Sequence, residues 1–165
     1  MVGSTKKSNF RIRPADTDDV PLILSLIKEL AEYEQLSHQV VASEGGLRKA
    51  LFGEHPVAEV VVGDWDATPV GFALYFHNFS TFLGRPGIYL EDLYVKPKYR
   101  GKGVGRELLA FVARLAKERN CGRLEWSVLN WNESAIKFYK SIDAVPMDEW
   151  TVYRVTGKAL EKLAE

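Results

Sequence analysis

Hydrophobic positions change period repeatedly along the chain, and each change marks an element. Phe10-Arg11-Ile12-Arg13 alternates apolar and charged residues, the signature of a strand covered on one face, and Pro14 ends it. From Val20 the period becomes helical: Val20, Ile23, Leu24, Ile27, Leu30 and Ala31 recur at three- and four-residue steps, behind Asp16 or Thr17 as cap and Pro21 in the first turn. A weaker helix is expected from Glu44 to Phe52, capped by Ser43, closed by Gly53 and loosened by Gly45-Gly46. Val57 to Gly63 and Val70 to Phe76 read as two strands joined by a hairpin, after which Phe79 to Gly87 reads as a loop. Residues 88 to 95 are β-branched, aromatic or leucine except for Glu91-Asp92, which suggests a strand covered on both faces. Val104, Leu108, Phe111, Val112 and Leu115 then form a helical stripe that stops at Asn120-Cys121-Gly122. Beyond it the pattern predicts a strand from Arg123 to Leu129, a helix capped by Asn132 and running to about Ile142, a strand from Glu149 to Val155 and a short helix after Gly157.

Strands and helices alternate, which predicts an α/β domain with a mixed sheet, antiparallel at its N-terminal end. The chain has 165 residues, 46% hydrophobic and 27% charged, which suits one domain over residues 10–165 behind a flexible stretch at 1–9. Lys plus Arg equals Asp plus Glu at 22 each, so no global field points to nucleic acid. The single Cys121 excludes an internal disulfide framework, and His38, His55 and His77 lack ligand spacing. We expect a metal-free protein of the cytoplasm, since neither a long apolar run nor a signal-peptide core indicates membrane or export.

Between the apolar strand and the amphipathic helix stand Arg100, Gly101, Lys102, Gly103, Val104, Gly105 and Arg106. The first amides of a helix lack internal partners and carry the positive end of its dipole, so a glycine loop that exposes them forms an anion site. The dinucleotide pattern would need glycine at position 106, and the P-loop ending is absent. Arg100, Lys102 and Arg106 add full charges, so the loop is expected to bind an anion through a different motif.

YRGKGVG (99 to 105) in this setting resembles the acetyl-CoA motif of the GNAT N-acetyltransferase superfamily. Together with LIKELAEYE (26 to 34), YLEDLYV (89 to 95) and WNESAIKFY (131 to 139), it resembles the spermidine/spermine (diamine) and thialysine N-acetyltransferase group over Phe10 to about Val155. The resemblance implies a GNAT-like sheet with its two central strands splayed and helices on both faces. It implies acetyl-CoA as co-substrate, with the pantetheine arm along Leu93, Tyr94 and Val95, the diphosphate on Gly101 to Arg106, and Asn132, Glu133, Ser134 and Ala135 completing the pocket. Tyr33 and Glu34 match substrate-contacting positions, and Phe82, Trp126, Glu149 and Trp150 are further candidates for the substrate side. Relatives of this group are homodimers, and the same is expected here.

Acetyl transfer to an amine requires the amine to lose a proton and the departing thiolate to gain one. A primary amine has a pKa of about 10, so only about one molecule in a thousand is neutral at pH 7. Glu91 and Asp92 can attract the ammonium, and we assign the water-assisted base to Glu91. Strict alternation would send the two carboxylates to opposite faces, so both reach one ligand only if the strand bulges there. Tyr139 is the candidate acid, by resemblance to the family's tyrosine. The sequence departs from the family at Asp143, a position that is glycine elsewhere, and at Ser80 and Phe82, which replace an acidic residue and a tryptophan. The missing anchor favours a short diamine or a lysine-like amine. The alternatives are an acetyltransferase for protein or peptide amines and a non-catalytic acyl-CoA sensor.

Overall fold

The computed structural model describes residues 9–165. Residues 1–8 of the expected flexible stretch lie outside the described residues, whereas Asn9 is tied to Asp66 through both its backbone carbonyl and its side-chain amide. The chain divides into two compact units, Met1–Ser127 and Val128–Glu165.

The first unit is a five-stranded sheet in the order β1-β2-β3-β4-β5. Strands β1 (Phe10–Pro14), β2 (Glu59–Trp65), β3 (Thr68–Ser80) and β4 (Arg85–Val95) are antiparallel neighbours, and β5 (Leu124–Trp126) runs parallel to β4. This is the mixed sheet that the alternation of elements predicts. β2 turns into β3 at Asp66 and Ala67, both at positive φ, the geometry that matches strand twist in a two-residue hairpin.

Helix α1 (Val20–Tyr33) follows a 3₁₀ turn, Thr17–Asp19, closed by a capping box between Asp16 and Asp19. Arg13 binds Asp19 through both Nη atoms and Asp64 through Nε, at 2.7 to 3.0 Å, fastening this turn to β1 and β2. Helix α2 (Glu44–Phe52) has the expected cap, Ser43 accepting from the Gly46 amide. The apolar faces of α1 and α2 cover one side of the sheet, where Ile23, Leu26 and Leu51 pack with Val60, Phe72 and Tyr94. Helix α3 (Val104–Glu118) covers the other side: Leu108 lies against Gly63 and Gly71, where any Cβ would strike Phe10 or the Tyr94 carbonyl. Helices thus lie on both faces, as the family resemblance implies.

Three expectations need correction. Residues 79–87 are not a free loop, because β3 and β4 stay paired out to Ser80 and Arg85 and leave only a turn at Thr81 to Gly84. β5 has three residues instead of the seven expected from Arg123 to Leu129. Residues 149–155 form no strand; they have strand composition, but a strand also needs a neighbouring edge, and none is recorded for them among the described residues.

The second unit contains helix α4 (Glu133–Ser141) and helix α5 (Gly157–Leu163). Asn132 caps α4 by accepting from the Ala135 amide, as the sequence predicts. Asp143, just past the helix, takes φ 62, so the left-handed turn survives the loss of glycine.

Candidate active site

The β3–β4 ladder slips by one residue in the middle of β4. Leu74 pairs with Asp92 and Tyr75 with Leu90, leaving Glu91 as the extra residue of a bulge. The condition for the two carboxylates to cooperate is met. Asp92 belongs with Leu74 on the face covered by α1, and Glu34 stands at the C-terminal end of that helix. Burial, followed by the fields of Glu91 and Glu34, pushes the Asp92 carboxyl up to about 6. Burial also raises Glu34 above the usual carboxylate range. Glu91 itself is exposed. A buried carboxyl raised by burial and by two neighbouring carboxylates is a place where a cation relieves the cost.

The edge of β4 beyond the bulge is the second part of the site. Lys96 N–H donates to Val70 of β3, so alternation turns the backbone groups of Leu93 and Val95 toward the opposite edge and those of Tyr94 toward β3. The parallel ladder with β5 covers only Ile88 to Leu90, which leaves β4 without a recorded strand partner on that edge from Glu91 to Val95. This is where a splay between the two strands opens. Tyr94 contributes its ring to the α1–α2 core and takes part in a hydrogen bond with Glu29. Val95 O accepts from Arg100 Nε at 2.9 Å.

The loop after β4 makes a 3₁₀ turn at Pro97–Tyr99 and enters α3 through Gly101 (φ 76) and Gly103 (φ 84). Both are left-handed conformations that favour glycine. Gly103 is the N-cap, and the first amides of α3, from Val104, Gly105 and Arg106, have no side-chain cap, a geometry that suits an anion. The three cations divide. Arg100 stacks on Tyr33 and Tyr94, and Lys102 Nζ lies 5.2 Å from the Trp65 ring and 5.3 Å from the Tyr99 ring. Arg106, on the first turn of α3, has no comparable ring contact among the described residues.

The remaining candidates fall in several places. Trp126 ends β5 opposite Leu90, and Phe82 projects from the β3–β4 turn, 97% exposed. Ser80, which replaces the family's acidic residue, is buried and accepts from the Leu83 amide at 3.2 Å, so it shapes the turn. In the second unit, Asn132, Glu133, Ser134 and Ala135 form the first turn of α4, and Tyr139 lies on the same helix with its ring 5.6 Å from Phe138. Glu149 lies in a turn closed by the Trp150 amide, which donates to Met147 O, in the stretch before α5. Among the described residues no group of His, Cys, Asp and Glu could hold a metal ion, and no helix is long and apolar enough to cross a membrane.

Sequence reasoning missed the ring contacts of Arg100 and Lys102 and the Lys96–Glu29 ion pair at 3.4 Å that ties β4 to α1. The only local trace was the presence of aromatic residues at the ends of both elements, Tyr33 and Tyr94.

An uncapped helix start thus stands on the same sheet as an open strand edge and a carboxylate cluster, and the chain as a whole is similar to known proteins. The pattern of the Acetyltransferase (GNAT) family matches residues 25–143. A thialysine N-epsilon-acetyltransferase of Bos taurus is 43% identical, the match covering 93% of this chain and 96% of the relative. An L-ornithine N5-acetyltransferase of Arabidopsis thaliana is 34% identical over 93% of this chain and 87% of its own. Among solved structures, an integron cassette protein from the mobile metagenome of V. cholerae superimposes with a TM-score of 0.80 at 32% identity, covering 95% of this chain and 98% of its own. Family pattern, relatives and fold agree: the chain belongs to the acetyltransferase (GNAT) family and is an N-acetyltransferase.

Proposed function

We propose that this N-acetyltransferase moves the acetyl group of acetyl-CoA to the primary amine of a lysine analogue such as thialysine, or of a small diamine or polyamine. The observation that carries the reading is the bulge at Glu91, which combines Glu91, Asp92 and Glu34 into one anionic patch suited to an alkylammonium. The names of both relatives specify a side-chain nitrogen, N-epsilon in one and N5 in the other, which supports the same substrate class.

Asp92 and Glu34 attract the ammonium, and Glu91 accepts its proton through a water. The neutral amine attacks the thioester carbonyl, forming the C–N bond as the C–S bond breaks; Tyr139 gives its proton to the departing thiolate, and the extra proton on the acylated nitrogen passes through water to the phenolate, leaving the amide and restoring the phenol. The amides of Gly101 to Arg106 hold the diphosphate, with Leu93, Tyr94 and Val95 along the pantetheine and Asn132 to Ala135 completing the site. Tyr33, Phe82, Trp126, Glu149 and Trp150 remain on the substrate side. The family match crosses Ser127, which supports one functional domain over residues 10–165. A cytoplasmic homodimer completes the proposal, and light scattering giving a monomer mass would remove the dimer.

The decisive experiment is thiol release from acetyl-CoA with a panel of thialysine, lysine, ornithine, putrescine and spermidine. Amine-dependent release is expected, strongest with the lysine-like amines. No release with any of them rejects the reading in favour of a protein-amine acetyltransferase or an acyl-CoA sensor.

A further inference from the structure

Arg100 opens the glycine loop, and from its position alone it counts as a cation for the coenzyme's phosphates. Its guanidinium is engaged elsewhere. Cζ lies 4.6 Å from the centroid of the Tyr33 ring and 5.5 Å from that of Tyr94, while Nε donates to Val95 O at 2.9 Å. Tyr33 is the last residue of α1 and Glu34 is its C-cap, so the residue whose ring lies under Arg100 immediately precedes the one whose carboxylate helps to raise Asp92. Tyr94 belongs to the core beneath α1. A flat cation can stack on rings and hydrogen-bond in its own plane at once; a lysine ammonium cannot do both.

We propose that Arg100 is a positioning residue for the amine side of the reaction. By stacking on Tyr33 and Tyr94 and holding the Val95 carbonyl, it fixes the end of α1, and with it Glu34, relative to the carboxylates of the β4 bulge. It is not a ligand of the phosphates. That task falls to the loop amides and Arg106. The inference rests on the proposed function for its substrate, and its structural half can be read without turnover.

The test compares Arg100→Lys, Arg100→Ala and Arg106→Ala in the full chain. Calorimetry with CoA at low and high salt should leave both Arg100 variants within about twofold of the parent, with the same salt dependence, while Arg106→Ala binds more weakly and loses part of its salt dependence. At saturating acetyl-CoA, Arg100→Lys should raise the KM for thialysine about tenfold, and Arg106→Ala should leave it in place. Hydrogen exchange at the Glu34, Gln35 and Leu36 amides, which close α1 onto Leu30, Glu32 and Ala31, should accelerate in Arg100→Lys and not in Arg106→Ala. CoA affinity falling in Arg100→Ala as far as in Arg106→Ala overturns the inference, as does unchanged exchange at the α1 end. If no amine is turned over by the parent, the proposed function fails, and calorimetry and exchange still decide the role of Arg100.

Discussion

Glu91 and Asp92 are consecutive in sequence, yet only Asp92 has a partner across the ladder, Leu74; Glu91 is the residue left over by the bulge. Without that slip the two carboxylates would point to opposite faces of the sheet. The bulge therefore creates the anionic site.

The folded Asp92 carboxyl lies at about 6, above its ordinary 3.8, so the native state holds this proton more tightly than the unfolded chain does. The stabilisation is complete below about pH 4 and is lost as pH rises through about 6. Asp92→Asn should then gain about 1–2 kcal/mol above about pH 7, after allowance for partial exposure, and little near pH 4. Its KM for the amine should rise at the same time. Thermal melts at the two pH values, paired with kinetics, check both halves, and a loss of stability at neutral pH would contradict the first.

Removing the two proposed proton carriers should separate binding from chemistry. Tyr139→Phe is expected to lower kcat by about 10²-fold with little change in CoA affinity. Glu91→Gln should lower kcat/KM and shift its acidic limb. Steady-state rates across pH, with calorimetry for CoA, check the pair; parental rates in both would remove the assignment.

Arg119, at the end of α3, grips Glu59 of β2 through both Nη atoms at 2.6 and 2.8 Å. The hydrogen bonds from Arg119 hold Glu59 below the usual carboxylate range. A lowered carboxylate stabilises above its unfolded pKa and loses the benefit as pH falls through the folded one. Glu59→Gln should therefore cost about 0.5–1 kcal/mol at neutral pH, and the difference should close below about pH 4. Denaturant melts at the two pH values measure it.

Asp143 and Ala67 occupy left-handed backbone at φ 62 without being glycine. Asp143→Gly and Ala67→Gly should each stabilise the chain by about 0.5–1 kcal/mol, the relief of αL strain partly offset by the greater freedom of the unfolded state. Thermal melts check this.

The parts of this molecule legible in the sequence are those governed by local chemistry. The caps at Ser43 and Asn132, the stripe along α3 and the glycines at 101 and 103 each depend on neighbours a few residues away. The bulge was legible only as a condition: two carboxylates inside an apolar strand imply a break in alternation without saying where the ladder slips. Arg100 and Lys102 were misleading because cationic side chains are long, and the rings that capture them, Tyr33 and Trp65, come from elements remote in sequence. The stretch 149–155 shows the limit of propensity, since Val152, Tyr153 and Val155 suit a strand that has no recorded neighbouring edge. Where β3 would end was hidden because the residues past Phe76 have one ladder instead of two and need no uninterrupted apolar run.

That extension has a mechanical consequence. β2 reaches β3 only as far as Tyr75, opposite Glu59, and β5 reaches β4 only from Ile88, opposite His77, so from Asn78 to Ser80 β3 and from Arg85 to Gly87 β4 have only each other as ladder partners. A two-stranded ribbon lacks the flanking ladder that makes opening cooperative, so its amides exchange by local unzipping from the tip, while those of Val62 and Phe72 wait for the whole sheet to open. Opening of this hairpin is thus expected to follow the sheet's own outline, easiest at the turn that carries Phe82 and harder residue by residue toward the bulge at Glu91.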